Sequence, residues 1–199
     1  MLEIDLVDIG GGNLGSVRRC LEMLSVNYKI SDPDNPPSGD RPVLLPGVGA
    51  FGPVMQHLKE CRFDQRLKKL IETGVPYIGI CVGMQILFEK SEEADGVAGL
   101  GILKGSVIKY RQGKVPQIGW NLIEKETGSA DEFPDSGHVY FVNSYYPHPH
   151  DEADTLYSSL YYLKFCAAVR KKNVTAFQFH PEKSGEFGKS VLRSCLENV

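Results

Sequence analysis

Pro76-Tyr77-Ile78-Gly79-Ile80-Cys81-Val82-Gly83-Met84-Gln85 is the stretch on which the fold of this chain turns. Residues 76–80 form an apolar run of strand length, too short for a helix. The run ends in Gly-x-Cys-x-Gly, and a helical pattern follows over Val82–Glu89. Strand, tight turn and helix in this order make a βα unit of a parallel sheet. The turn is the cysteine counterpart of the nucleophile elbow. Its glycines, two before and two after the cysteine, allow a sharp, strained bend that pushes one side chain out at the strand's C-terminal end. The helix beginning there offers backbone N–H groups and a positive dipole end, both favourable to a thiolate.

Outward from this unit the first half keeps alternating. Leu2–Val7 reads as a strand, Leu14–Leu24 as a helix and Val43–Leu45 as a short buried strand. Met55, Leu58, Leu67, Leu70 and Ile71 mark helical stretches, and Tyr28–Ile30 is a weak strand. After Gly96 the texture becomes β-rich, with segments at Val107–Tyr110, Val115–Ile118, Val139–Val142, Leu156–Leu163, Cys166–Val169 and Val174–Phe179. A helix over Glu186–Leu196 closes the chain, and residues 31–42, 125–137 and 147–154 read as loops. The expectation is one α/β domain over residues 1–199. It has a parallel core, a mixed or antiparallel extension of the same sheet, and helices on both faces.

Composition narrows the function classes. The 199 residues are 42% apolar and 24% charged, which excludes a disordered or fibrous chain. A formal charge of −3 without a long basic run argues against nucleic acid as a partner. No run approaches the roughly 18–20 apolar residues that cross a bilayer, so no membrane partner is expected. Met1-Leu2-Glu3 has no basic n-region, so no signal peptide is expected. Five cysteines without a C-x-x-C pair point to a reducing, cytoplasmic setting with no disulfide framework or zinc ribbon.

Several constellations bear chemistry. Phe177-Gln178-Phe179-His180-Pro181-Glu182 is a strand running into His-Pro-Glu. Proline holds His180 extended, so His180 and Glu182 project to one side, where the carboxylate orients an imidazole able to take a thiol proton. Leu45-Pro46-Gly47-Val48-Gly49-Ala50-Phe51 ends another buried strand, and its peptides are placed to turn N–H groups toward an oxyanion. Gly10-Gly11-Gly12-Asn13-Leu14-Gly15, with Asp32 about 20 residues on, meets the dinucleotide fingerprint; the plainer reading is a strand–helix turn that needs glycine. His148-Pro149-His150-Asp151 reads as a solvated loop rather than a metal site, and no metal or cofactor is called for. Trp120 is either core or a partner-facing anchor. A cysteine hydrolase or peptidase, a nucleotide-binding oxidoreductase and a non-catalytic docking subunit remain as rivals at this point.

These motifs resemble the class I glutamine amidotransferases, which carry a Cys-His-Glu triad on a flavodoxin-like α/β sheet. Within that family the chain looks like the glutaminase subunits of imidazole glycerol phosphate synthase, of histidine biosynthesis. The likeness runs through Gly12-Asn13-Leu14, Pro46-Gly47-Val48-Gly49, Gly79 to Gln85, Val115-Pro116-Gln117-Ile118-Gly119-Trp120-Asn121 and Phe177 to Lys183. It implies Cys81 as nucleophile, His180 as general base and acid, and Glu182 as the orienting carboxylate. The N–H of Val82 and the peptides of Gly47, Val48 and Gly49 would form the oxyanion hole. Gln85, Ser144 and Tyr145 would hold glutamine. The partner would be a (β/α)8-barrel synthase subunit in a heterodimer, met through Asn13, Trp120, Tyr140 and Lys183, with ammonia passing through the barrel. Its products would be imidazole glycerol phosphate and an aminoimidazole carboxamide ribotide. Two positions depart from the family, which often has His where Gln117 and Asn143 stand.

Overall fold

The computed structural model describes residues 2–10, 14–128 and 131–199. Its strands and helices are, in chain order, β1 (Glu3–Val7), α1 (Leu14–Met23), β2 (Asn27–Ser31), β3 (Val43–Gly47), α2 (Phe51–Glu60), α3 (Phe63–Glu72), β4 (Tyr77–Cys81) and α4 (Val82–Gln85). Then follow β5 (Phe88–Ser91), β6 (Leu103–Lys109), β7 (Gln117–Lys125), β8 (Ser136–Asn143), β9 (Tyr145–Pro149), β10 (Thr155–Tyr161), β11 (Leu163–Lys171), β12 (Val174–Phe177) and α5 (Gly185–Glu197).

Nine strands form one sheet in the order β2-β1-β3-β4-β12-β11-β10-β7-β8. The first five run parallel and the remaining four join antiparallel, as the change of texture after Gly96 implies. Burial of β3, β4 and β12 on both faces explains their near-continuous apolar runs, whereas the edge strand β2 is mostly exposed. The period of two sorts them between two cores. Ile4, Leu6, Leu44, Ile78 and Ile80 pack with Val17 and Leu21 of α1 and Val191 and Leu192 of α5. Val7, Val43, Leu45 and Tyr77 pack with Met55 and Leu58 of α2 and Leu67 and Leu70 of α3. Helices on both faces are therefore the consequence of alternation along each strand.

Four expectations are corrected. The helix expected over Val82–Glu89 ends after one turn, at Gln85. The carbonyls of Ile86 and Leu87 accept instead from the N–H groups of Leu100 and Ile102, at 2.7 and 2.9 Å, and the chain continues as β5. The small sheet β5-β6-β9 that results is separate from the large one, so the second half is not a single extension. Its third strand, β9, occupies residues expected to begin the 147–154 loop. The apolar run 156–163 is two strands, because Tyr162 turns the chain at φ 59°.

The junction of β3, β4 and α4 is tightly packed. A Cβ placed on Gly83 would lie 2.1 Å from the carbonyl oxygen of Leu45, a backbone atom that cannot move without shifting β3. Gly83→Ala is accordingly expected to destabilise the protein by about 1–3 kcal/mol in urea denaturation, as for other overpacked interiors. Gly96→Ala, which meets nothing within 4 Å, should show only the smaller cost of its positive φ.

Candidate active site

The strand order carries the site. β4 lies between β3 and β12, and all three run parallel. Gly47 is the register partner of Cys81, and Phe177 that of Ile80. Gly47, Cys81 and Gln178 thus form a row across the C-terminal edge, where ligands gather in open α/β sheets. Cys81 takes φ 56° and ψ −109°, outside the regions an L-residue ordinarily occupies. Neither Gly79 nor Gly83 has positive φ. The strain therefore sits on the cysteine, and the glycines supply room rather than torsional freedom. A Cβ on Gly79 would lie 2.5 Å from the Gly83 oxygen, and one on Gly47 would lie 2.2 Å from Val82 Cγ1. The bend has a visible result. Alternation would send Cys81 to the α2–α3 face with Tyr77, yet it packs in the α1–α5 core with Ile78 and Ile80.

His180 reaches the same edge from β12. Its N–H donates to the Tyr140 carbonyl at 3.0 Å, and its own carbonyl accepts from Ser184 Oγ at 2.6 Å. The Ser184 hydroxyl oxygen also accepts from Tyr140 N–H at 2.9 Å, so β8 clamps the His-Pro-Glu turn. The His180 and Glu182 side chains are both 4% exposed, and His180 Nδ1 lies 2.9 Å from Glu182 Oε1. The Cys81 side chain interacts with the same imidazole and favours its charged form. Burial lowers the proton affinity of His180. The bonds to Cys81 and Glu182 outweigh it and push the imidazole up to about 10. An imidazolium that keeps its charge beside a cysteine is the counter-ion a thiolate nucleophile needs.

The remaining expected residues divide. Val48 is exposed and Gly49 has φ 140°, so the loop after β3 is an open, glycine-shaped rim beside Cys81. Its far end is held by Glu93, whose carboxylate accepts from the Phe51 N–H at 2.7 Å. Val82 begins α4 directly after the nucleophile position. A crevice of about 20 Å³ bounded by Gly47, Val48, His180 and Glu182 has space for one water. Gln85 is buried, and its Nε2 donates to the Tyr145 carbonyl at 3.3 Å and to Gln178 Oε1 at 2.8 Å. The Ser144 carbonyl accepts from the N–H of Tyr110, the residue after β6, at 3.2 Å. The two departures, Gln117 and Asn143, are cross-strand partners, and Tyr110 joins them. Its hydroxyl donates to Gln117 Oε1 at 3.0 Å and accepts from Asn143 Nδ2 at 3.4 Å.

Trp120 and Tyr140 are also cross-strand partners, with ring centroids 6.1 Å apart, and Trp120 is 57% exposed. Ile118, Leu122 and Val142 stand exposed around them, and Lys183 is exposed on the turn after His180. Asn13 lies outside the described residues, as do Gly11 and Gly12 of the dinucleotide-like turn. Asp32, the acidic partner of that fingerprint, spends Oδ1 on the N–H groups of Asp34 and Asn35, at 2.9 and 2.6 Å. His148 is exposed on β9, and among the described residues no three His, Cys, Asp or Glu converge on a metal position. No helix among them is long and apolar enough to cross a membrane. A cleft of about 740 Å³, bordered by Glu126, His148, Lys164 and Cys166, contains none of Cys81, His180 and Glu182. The convergence of a thiol, an imidazole and a carboxylate favours the sheet edge over that cleft.

Sequence reasoning assigned nothing to Gln178. It is fully buried, and its Nε2 lies 3.7 Å from Cys81 Sγ. The signal available was an amide enclosed between Phe177 and Phe179, two residues before His180.

The raised affinity of His180 links the site to stability. Its partners favour the folded, protonated form, so their contribution is complete below the unfolded value of 6.5 and is lost as pH climbs toward about 10. Thermal unfolding of the wild type and of His180→Gln should therefore differ most near pH 6, with the gap narrowing through pH 8 to 10.

The sequence matches the glutamine amidotransferase class-I family over residues 5–199. It is 43% identical over 190 residues to imidazole glycerol phosphate synthase subunit HisH of Thermus thermophilus, covering 94% of this chain and 93% of the relative. It is 39% identical over 198 residues to the subunit of the same name from Chlorobaculum tepidum, covering 96% and 98%. The structure of PurLQS from Thermotoga maritima superposes with a TM-score of 0.78 at 21% identity, covering 99% of this chain and 98% of that one, which is a likeness of fold. With that match across nearly its whole length, the chain belongs to the class-I glutamine amidotransferase family.

Proposed function

We propose that this chain is the glutaminase subunit of an imidazole glycerol phosphate synthase, acting in histidine biosynthesis as a single domain over residues 1–199. The observation that carries the reading is the line from Cys81 through His180 to Glu182, buried at the C-terminal edge of the parallel sheet. Identities of 39–43% to subunits of that name, over nearly their full length, support the pathway.

In this reading the Cys81 thiolate attacks the side-chain carbonyl of glutamine. The oxyanion is met by the N–H of Val82 and by peptides of Gly47, Val48 and Gly49. Ammonia leaves with a proton from His180, and water, deprotonated by the same imidazole, cleaves the glutamyl thioester to glutamate. Glu182 fixes the ring through Nδ1 and favours its charged form. Gln85, Ser144 and Tyr145 hold the substrate. The open rim at Val48 and Gly49 suits a loop whose peptides turn fully inward only when a partner is seated.

The partner is a (β/α)8-barrel synthase subunit. Trp120 and Tyr140, with Ile118, Leu122 and Val142 around them and Lys183 close by, form the apolar, aromatic-centred face such an interface needs. Tyr140 also fixes the His180 backbone, so docking there bears directly on the base. Ammonia passes into the barrel, which yields imidazole glycerol phosphate and an aminoimidazole carboxamide ribotide. Five free cysteines suit a cytoplasmic location. No cofactor enters any step.

Cys81→Ala should abolish glutamine-dependent synthesis by the complex while synthesis from ammonium salts continues. Glutamate release in Cys81→Ala would overturn the assignment. Trp120→Ala should weaken association with the barrel subunit about tenfold or more in titration calorimetry. It should also lower the stimulation of glutamate release that the partner and acceptor give to an otherwise poor glutaminase.

A further inference from the structure

Gln178 has no role in the scheme above, yet it touches the reacting atom. Its backbone N–H donates to the Ala167 carbonyl at 2.8 Å, so it continues the β12–β11 pairing past the end of the strand. Phe177 and Phe179, on either side of it, pack into the core with ring centroids 5.3 Å apart. Gln178 and His180, two residues apart, both turn to Cys81.

Which end of the Gln178 amide faces sulfur follows from its neighbours. The carbonyl of Tyr145 can only accept, so the group that Gln85 directs at it is the NH2. The same NH2 carries a second hydrogen and donates it to Gln178. The oxygen of Gln178 is thereby committed to Gln85, and its own NH2 faces Cys81 Sγ. A donor at that place stabilises a thiolate over a thiol. We infer that Gln178 is a catalytic residue of this site, a neutral donor that holds the Cys81 thiolate, and that Gln85 sets its direction through the Gln85–Gln178 hydrogen bond. The residue expected to grip glutamine is thus one hydrogen bond away from the group that steadies the nucleophile. The kinetic consequence rests on the glutaminase reading; the effect on the sulfur does not.

The test is the pH profile of iodoacetamide alkylation of Cys81 in the full chain, with Cys81→Ala subtracting the other cysteines. Gln178→Leu should move the midpoint up by about one pH unit and slow alkylation at neutral pH about tenfold. In the complex it should lower kcat for glutamine about tenfold with KM changed less than threefold. Gln85→Leu frees the Gln178 amide to rotate and should move the midpoint in the same direction by about half as much, while raising KM. An unmoved midpoint in folded Gln178→Leu overturns the assignment. If circular dichroism shows that Gln178→Leu does not fold, an unmoved midpoint in Gln85→Leu overturns it instead. A shifted midpoint in a chain whose complex releases no ammonia from glutamine leaves the donor role standing and sinks the glutaminase reading.

Discussion

The register of three parallel strands is the constraint on which everything else depends. β3, β4 and β12 place Gly47, Cys81 and Gln178 side by side, although 34 residues separate the first two and 97 the last two. A slip of one residue in β12 would turn each of its side chains to the opposite face and carry His180 away from the sulfur. The bend at Cys81 adds a cost of order 1–3 kcal/mol for its φ and ψ. It persists because the surrounding backbone leaves no alternative. Leu45, Gly79 and Gly83 approach so closely that any side chain at 79 or 83 would push backbone atoms apart.

Electrostatics follow from that placement. Burial by itself would drive His180 toward neutrality, but its interactions with Cys81 and Glu182 reverse the balance. The imidazole backbone is tied to β8 through Tyr140 and Ser184, so its orientation is set by the antiparallel half of the sheet. The two halves therefore have different tasks. The parallel half brings Gly47, Cys81 and Gln178 to one edge, and the antiparallel half holds His180 and carries the exposed aromatic pair Trp120–Tyr140 on the same strands. A partner seated on that pair would act on the base through one hydrogen bond. In the proposed complex this is the shortest route from docking to chemistry.

The Gln117–Asn143 pair illustrates how positions far apart in the chain come to share one structural environment. The two residues stand opposite each other and share the Tyr110 hydroxyl. Asn143 also donates to the Tyr145 carbonyl at 3.0 Å, the acceptor that Gln85 uses. Two departures in the sequence thus occupy a single polar cluster behind the residues expected to hold substrate. The cluster is tied together through the Tyr110 hydroxyl and the Asn143 amide nitrogen, while Asn143 Oδ1, buried beside them, has no hydrogen-bond partner among the described residues.

The alternation of apolar runs with helical patterns determined the parallel core and the helices on both faces, because each strand must bury two faces and each helix one. Gly-x-Cys-x-Gly and His-Pro-Glu were equally plain, since few other chemistries ask for those residues at those spacings. What local pattern could not supply was competition for backbone groups. Val82–Glu89 has the periodicity of a helix, and only the folded chain brings Leu100 and Ile102 to claim the carbonyls of Ile86 and Leu87. Gln178 was hidden for a related reason. In sequence it is one amide between two phenylalanines, and its meaning comes from Gln85 and Cys81, each more than 90 residues distant and brought to it only by strand order. Patterns repeated along the chain report local burial; which atoms meet across the sheet is fixed by topology and register, and those exist only in three dimensions.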